Sequence, residues 1–216
     1  MKTDAQLKID VMEELRWEPN VTSDSINVAA HKGVVTLTGS VPFFAEKWAT
    51  ERAVRRVSGV KAIAEDLQVN RFGIHNHKDT DVAQAVVNAL SWHVWVPDTV
   101  QATVENGWVK LNGSVKWEFE RHAAEEALRY LSGVTGISND ILLKPAVQPS
   151  AVKDSIEKAL KRTAEIDADN IKVSTSGSKV TLTGNTHSWN ERAEAGSAAW
   201  CAPGVTEVQN NLAVSL

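Results

Sequence analysis

One short pattern occurs three times and constrains how the whole chain can fold. The pattern Val-x-Leu-x-Gly ends a segment at residues 35–39, 109–113 and 180–184. A Gly-Val pair follows each final glycine by twenty positions, at residues 59–60, 133–134 and 204–205. An aspartate precedes each glycine by fifteen positions, at Asp24, Asp98 and Asp169. Because this register holds without a gap, we expect three small copies of one module rather than a single domain of 216 residues.

Each copy begins with a helical pattern. In the first copy, Leu7, Val11 and Leu15 are four residues apart, and the other copies repeat the spacing at Val82, Val86 and Leu90 and at Val152, Ile156 and Leu160. Side chains four apart lie on one face of a helix. An amphipathic first helix is therefore predicted in every copy.

Two strands are predicted after the first helix. Ile26 and Val28, and then Val35 and Leu37, alternate with polar residues, which is typical of strands with one buried face. The link between the two strands is short and contains glycine in the first two copies. In the second copy it contains Asn106-Gly107, a strong hairpin signal. An antiparallel strand pair is the expected result.

A second helix and a last strand complete each copy. The helix is predicted at about 43–57, 117–131 and 188–202, and the glycines Gly59, Gly133 and Gly204 follow it in the position where a left-handed residue stops a helix. The last strand of the first copy carries Ile63, Leu67 and Val69. Ile63 and Leu67 are four positions apart, where strict alternation would place the next apolar residue two positions on, and this spacing leaves room for a β-bulge between them.

The order of these elements predicts an α+β fold. A strand, helix, strand passage within one sheet is right-handed, and the apolar stripes of both helices must cover the same sheet face. We therefore expect three tandem αββαβ modules, each a three-stranded mixed sheet with two helices packed on one face. The predicted modules span residues 1–70, 80–144 and 150–216, with linkers at 71–79 and 145–149. Since a unit of this size has only a marginal core, the modules are expected to pack on each other.

At this point the pattern resembles the BON domain family, named for bacterial osmotic-stress and nodulation proteins. The resemblance rests on the strand-ending glycines and on the Gly-Val pairs that precede the last strand. These structural repeat glycines are Gly39, Gly59, Gly113, Gly133, Gly184 and Gly204. The three copies cover nearly the whole chain.

The resemblance implies a partner and a class of function. It implies an αββαβ fold without a catalytic residue set, and attachment to phospholipid membranes or to envelope-associated partners in stress protection. Some relatives are exported, and others are cytoplasmic, among them a potassium-binding type. A cytoplasmic protein that binds an ion or small ligand is thus the alternative. If Met1 is the native start, the expected location is cytoplasmic; if a signal sequence has been removed, it is periplasmic.

Composition and charge exclude several classes. Apolar residues make up 43% and charged residues 23% of the chain, which is ordinary globular usage. The net charge of −4 comes without any strongly basic segment, so no nucleic-acid partner is expected. No apolar run approaches the length of a membrane-spanning helix. We therefore expect a folded globular protein with no transmembrane segment.

The most basic stretch is the second helix of the first module. Its candidate lipid or anion contacts are Lys47, Arg52, Arg55, Arg56 and Lys61. Cations near a membrane surface contribute about 1 kcal/mol each with anionic lipids. Glu46 and Glu51 are interleaved with them, so an ordinary solvated helix face is the competing interpretation.

Eight tryptophans provide the candidate interface aromatics. Trp17 and Trp92 correspond in the repeat, both at the end of the first helix, and Trp95 extends the run in the second copy. Amphipathic aromatics suit a membrane or protein interface, and they also suit packing between modules.

Chemistry-bearing residues do not form a recognisable catalytic or metal motif. His75-Asn76-His77 offers two metal ligands but needs a third from elsewhere, and Cys201 is interpreted as an inert thiol near a helix end. A glutamate recurs seven residues after each strand glycine, at Glu46, Glu120 and Glu191, and is assigned a structural role. No catalytic residue, cofactor or metal is predicted. Any specific function should lie where the copies differ, on the basic helix of the first module or the tryptophan run of the second.

Overall fold

The computed structural model describes residues 2–70, 77–144, 152–163, 166 and 168–214. Most of the two predicted linkers, 71–79 and 145–149, therefore lies outside the described residues. Within the described residues the chain divides into two compact units. The first unit contains residues 1–113 and 123–140, and the second contains residues 114–122 and 141–216. The second module contributes residues to both units.

The first module has the predicted αββαβ order. Its elements are α1 (Asp4–Trp17), β1 (Ile26–His31), β2 (Val34–Val41), α2 (Phe44–Arg56) and β3 (Ala62–Val69). β2 is the central strand, antiparallel to β1 and parallel to β3. The buried stripe of α1 and the inner side of α2 share one core with the sheet. Two helices on one face of a mixed sheet are confirmed.

A polar residue on the inner face explains the four-residue step in β3. β2 and β3 pair without interruption from Val34↔Ala62 to Val41↔Val69, so no bulge lies between Ile63 and Leu67. Along β3 the side chains at 63, 65, 67 and 69 are more buried than their neighbours. Glu65 thus takes an inward position, and Asn139 and Asn210 are its counterparts in the other copies.

The third module repeats this arrangement in the second unit. Its elements are α5 (Val152–Arg162), β9 (Ile171–Ser176), β10 (Lys179–Thr186), α6 (Trp189–Trp200) and β11 (Glu207–Val214). β10 pairs antiparallel with β9 and parallel with β11. Ile156 and Leu160 of α5 and Ala195 and Ala199 of α6 lie in the core with Leu182.

The second module is less regular. Its elements are α3 (Asp79–Trp92), β4 (Gln101–Glu105), β5 (Trp108–Asn112), β6 (Ser114–Val115), α4 (Glu118–Glu126), β7 (Gly136–Asn139) and β8 (Leu142–Leu143). Its central and last strands are each divided in two, with β5 paired to β7 and β6 paired to β8.

The second helix of this module is also shorter than predicted. The pattern predicted a helix to residue 131, but α4 ends at Glu126. Beyond it the amides of Leu128, Arg129 and Leu131 bond to carbonyls three residues back instead of four. Tighter turns of this kind are typical of helix ends. Sequence periodicity alone does not distinguish them from a continuing helix.

The glycine that ends each central strand permits a close backbone approach. Gly39, Gly113 and Gly184 have φ values of 128°, 122° and 128°. A Cβ atom at these positions would lie 2.0–2.2 Å from the carbonyl oxygen of Ser25, Thr99 or Asn170. Only glycine fits, because both the backbone conformation and the available space exclude a side chain.

Candidate functional site

Arg56 of the predicted basic helix is bound by two carboxylates, that of Glu14 in α1 and that of Glu18 directly after α1. Its Nη2 lies 2.8 Å from Glu14 Oε1 and 2.8 Å from Glu18 Oε2. The hydrogen bond from Arg56 lowers the pKa of Glu18, against the opposing effect of burial. Arg56 therefore joins α1 to α2, and its charge is largely compensated.

Lys47 and Arg55 also have intramolecular partners. Lys47 Nζ donates to the Leu67 carbonyl oxygen at 3.0 Å, and Arg55 Nη2 lies 2.5 Å from Glu51 Oε1. The backbone amide of Lys61 donates to the Gly33 carbonyl at 2.8 Å, and its side-chain stem covers Gly33. The five predicted cations thus do not form one uncompensated positive surface.

Arg52 lies in a different environment, together with a residue that sequence reasoning missed. The Arg52 guanidinium carbon is 4.8 Å from the centre of the Trp48 ring, and that of Arg129 is 3.9 Å from the same centre. Arg129 follows α4 in the second module, and its side chain is only 5% exposed. Two guanidinium groups within this range of one indole are cation–π contacts.

A cavity of about 370 Å³ opens beside these three residues, within the first unit. The first module lines it with Asn20, Phe43, Ala45, Glu46, Trp48, Ala49 and Arg52, and the second with Arg129, Tyr130, Leu131 and Ser132. The sequence signal that could have pointed to Trp48 and Arg129 was that both differ from their counterparts in the other copies. Trp48 has no aromatic counterpart, and Arg129 corresponds to Arg55 and Trp200.

The predicted interface aromatics are strongly exposed. Trp17 is 84% exposed and ends α1, and Trp92 is 90% exposed and ends α3. Val94 and Trp95 follow at 84% and 58%. All four belong to the first unit, and at these exposures Trp17 and Trp92 are not buried against the described residues of the neighbouring module. The packing alternative is therefore wrong for these two side chains within that unit, and Trp48 makes the intermodule contact instead.

The recurring glutamates satisfy backbone amides. Glu120 Oε2 accepts from the Lys116 and Trp117 amides at 2.8 and 3.0 Å, and Glu191 Oε2 accepts from the His187 amide at 2.6 Å. Glu46 instead accepts from the Thr22 amide, which ties the loop after α1 to α2. Carboxylates in the first turn of a helix also favour its dipole.

The histidines and the cysteine are dispersed. His77 Nε2 lies 3.0 Å from Ser132 Oγ, whereas His75 and Asn76 fall outside the described residues. Cys201 caps the end of α6 and is exposed. Within the part of the chain that the structure describes, no three His, Cys, Asp or Glu side chains group around a possible metal position.

No described helix is both long enough and apolar enough to cross a bilayer.

The fold and the candidate site together define a class: tandem small α+β modules with a cavity between the first two and exposed aromatics at helix ends. The BON domain model matches residues 3–71, 78–145 and 150–215. The chain therefore belongs to the BON domain family, with three tandem copies. BON domains are generally non-catalytic.

One curated relative extends the comparison. The chain is similar to osmotically-inducible protein Y of Escherichia coli (strain K12), with 26% identity over 146 residues, covering 65% of this chain and 73% of that protein. Among solved structures, CdsD of the Chlamydia trachomatis type III secretion system matches with a TM-score of 0.27 and 17% identity, over 96% of this chain and 91% of that one. The PrgH periplasmic domain matches with a TM-score of 0.23 and 11% identity, over 96% and 100%.

Proposed function

We propose that this protein is a non-enzymatic binding protein that attaches to phospholipid surfaces through the aromatic ends of its first two modules. The observation that carries the proposal is the exposure of Trp17 and Trp92, at 84% and 90%, at corresponding helix ends. Indole rings with one apolar and one polar edge favour the bilayer interface. Family membership supports a membrane-associated partner, and the similarity to an osmotically inducible protein supports a role in osmotic stress.

The aromatic ends supply the main part of the binding free energy in this proposal. Each ring that moves about 100 Å² of apolar surface out of water contributes about 2.5 kcal/mol. The cations of α2 add less, because Lys47, Arg55 and Arg56 already bind protein partners. The basic helix is thus a secondary contact.

Liposome co-sedimentation tests the proposal. The triple variant Trp17→Ala, Trp92→Ala, Trp95→Ala should bind vesicles at least tenfold more weakly than the wild type. The Arg52→Ala, Arg55→Ala, Arg56→Ala variant should lose less vesicle affinity than the tryptophan variant, and only when the vesicles contain anionic lipid. Leu142→Ala, which removes a 61% exposed apolar side chain elsewhere, is the matched control. Unchanged vesicle binding by the tryptophan variant would refute the proposed contact.

A further inference from the structure

The cavity between the first two modules contains a buried cation with an incomplete set of partners. The Arg129 side chain is 5% exposed. Its Nη2 is 3.9 Å from Glu125 Oε1, which is too long for a hydrogen bond. Of the described residues, none accepts a hydrogen bond from its guanidinium, although the Trp48 ring lies 3.9 Å away. A guanidinium has five N–H donors, and those of Arg129 are therefore available to a ligand in the cavity that it lines.

A second guanidinium lines the same cavity. Arg52 approaches the Trp48 ring from α2, one helical turn further along the chain. Among the described lining residues, Glu46 supplies a carboxylate, but its Oε1 already accepts from the Thr22 amide. Glu125 lies beside Arg129 without lining the cavity. The lining thus presents two cations and one engaged anion.

The rest of the lining is largely apolar. Phe43, Trp48, Ala49 and Leu131 form one part of the wall, and the 70% exposed Tyr130 contributes to the lining. A volume of about 370 Å³ is at the lower end of the range for small-molecule sites. The shape and chemistry fit a compact ligand with a charged head and an apolar body.

The geometry points to a binding site for a small organic oxyanion, a phosphate monoester or carboxylate, whose head is held by Arg129 and Arg52 and whose apolar body lies against Trp48. Guanidinium groups bind such heads through charge-assisted, often bidentate hydrogen bonds. This site is independent of the aromatic ends that carry the proposed membrane contact. Either proposal can therefore fail without the other.

Isothermal titration calorimetry of the full chain with phenyl phosphate at low salt tests the site. The wild type should show saturable binding, and Arg129→Met and Arg52→Ala should each weaken it about tenfold or more. Arg55→Ala is the matched control, because Arg55 is another exposed arginine of α2 that does not line the cavity. It should bind as the wild type does.

Two comparison ligands separate the two parts of the site. Phenol lacks the oxyanion and should bind at least tenfold more weakly than phenyl phosphate, and inorganic phosphate lacks the ring and should also bind more weakly. Thermal unfolding checks that Arg129→Met is folded. If it is not, the exposed Arg52→Ala variant still decides the question. Absent binding by the wild type, equal binding of phenol, or unchanged affinity in Arg52→Ala would overturn the inference.

Vesicles of phosphatidylglycerol identify the source of the oxyanion. If lipid headgroups supply it, Arg129→Met weakens vesicle binding even in a protein that retains Trp17, Trp92 and Trp95. If a free metabolite supplies it, Arg129→Met loses phenyl phosphate binding while vesicle binding is unchanged.

Discussion

At the residue scale, the glycine that ends each central strand is required for two separable reasons. Gly184 has a φ of 128°, and a Cβ there would meet the Asn170 carbonyl oxygen at 2.0 Å. Gly177, in the β9–β10 turn, also has a positive φ, of 57°, but an added Cβ would meet nothing within 4 Å. Gly177 therefore shows the effect of the backbone conformation alone, whereas Gly184 combines that effect with a steric clash.

Gly184→Ala should therefore destabilise the third module much more than Gly177→Ala. We expect about 1 kcal/mol for Gly177→Ala from the left-handed backbone alone. For Gly184→Ala we expect at least about 3 kcal/mol, because the backbone must also shift. Urea unfolding of both variants in the full chain measures the difference. Equal losses would show that the contact with Asn170 is relieved easily.

Glu65 is a residue whose effect on stability depends on pH. It takes the inward β3 position that Asn139 and Asn210 occupy in the other modules, and its buried Oε1 has no hydrogen-bond partner among the described residues. Burial raises the pKa of Glu65 above its ordinary value, although Lys47, 3.9 Å away, opposes the shift. A raised folded-state pKa means that the charged form is disfavoured by folding.

Glu65→Asn should consequently stabilise the protein at neutral pH. The wild-type carboxyl contributes most favourably below its unfolded pKa, and this contribution is lost as the pH rises through the higher folded pKa. The advantage of the variant should thus shrink as the pH falls through the raised folded-state pKa, and it should be smallest below about 4.5, the ordinary value for glutamate. Thermal unfolding between pH 3.5 and 7.5 measures it, with Asp66→Asn on the same strand as the control. A variant less stable than wild type at pH 7 would contradict the assignment.

At the scale of elements, an aspartate at the start of the first helix holds the hairpin turn. Asp79 accepts from the Asn106 amide at 2.7 Å and from the Gly107 amide at 2.9 Å. Asn106 and Gly107 both have positive φ, as the Asn-Gly signal predicts for this turn. In the first module, Asp4 accepts from the Lys32 amide at 2.7 Å in the same way. The repeat pattern did not predict this link.

Asp79→Ala should destabilise the second module by about 1–2 kcal/mol, because two turn amides lose a charged acceptor. Asp81→Ala is the matched control, since Asp81 lies in the same first turn of α3 and shares the dipole effect. Hydrogen exchange at the β4–β5 turn should accelerate in the first variant and remain near wild type in the second. Equal exchange in both would assign the effect to the helix dipole.

At the scale of the whole molecule, the three sequence modules do not correspond to three independent units. The first unit holds the first module and most of the second, and Trp48 with Arg129 contributes to their contact. In the second unit, Arg121 of the second module lies 5.6 Å from the ring of Trp200 in the third. Each contact pairs an arginine of the second module with a tryptophan of another module.

A double-mutant cycle between Trp48 and Arg129 measures the first of these contacts. Trp48→Leu and Arg129→Met should show a coupling free energy of about 0.5–2 kcal/mol, typical of a partly desolvated cation–π pair. Urea unfolding of the four full-length proteins provides the data. Additive effects would show that the pair does not couple the modules energetically.

The sequence by itself determined the repeat and the architecture of the module. Apolar spacing of four, alternation of two and the repeated glycines are local signals that depend only on helix and strand geometry, so α1, β1 and β2 were predictable. The end of α4 was not, because periodicity reports which side a residue faces and not the local hydrogen-bond pattern. The inward position of Glu65 was missed because a polar side chain there interrupts the apolar alternation of β3.

Tertiary structure decided which charged side chains are paired and which residues form the candidate site. Arg56 and Arg52 lie on the same helix, yet Arg56 is bound by Glu14 and Glu18 at the end of the first helix, whereas Arg52 contacts the Trp48 ring. Arg129 joins that ring from 81 positions away in the chain. Partners at such separation are brought together only by packing, so no pattern within one module could have placed them in a common cavity.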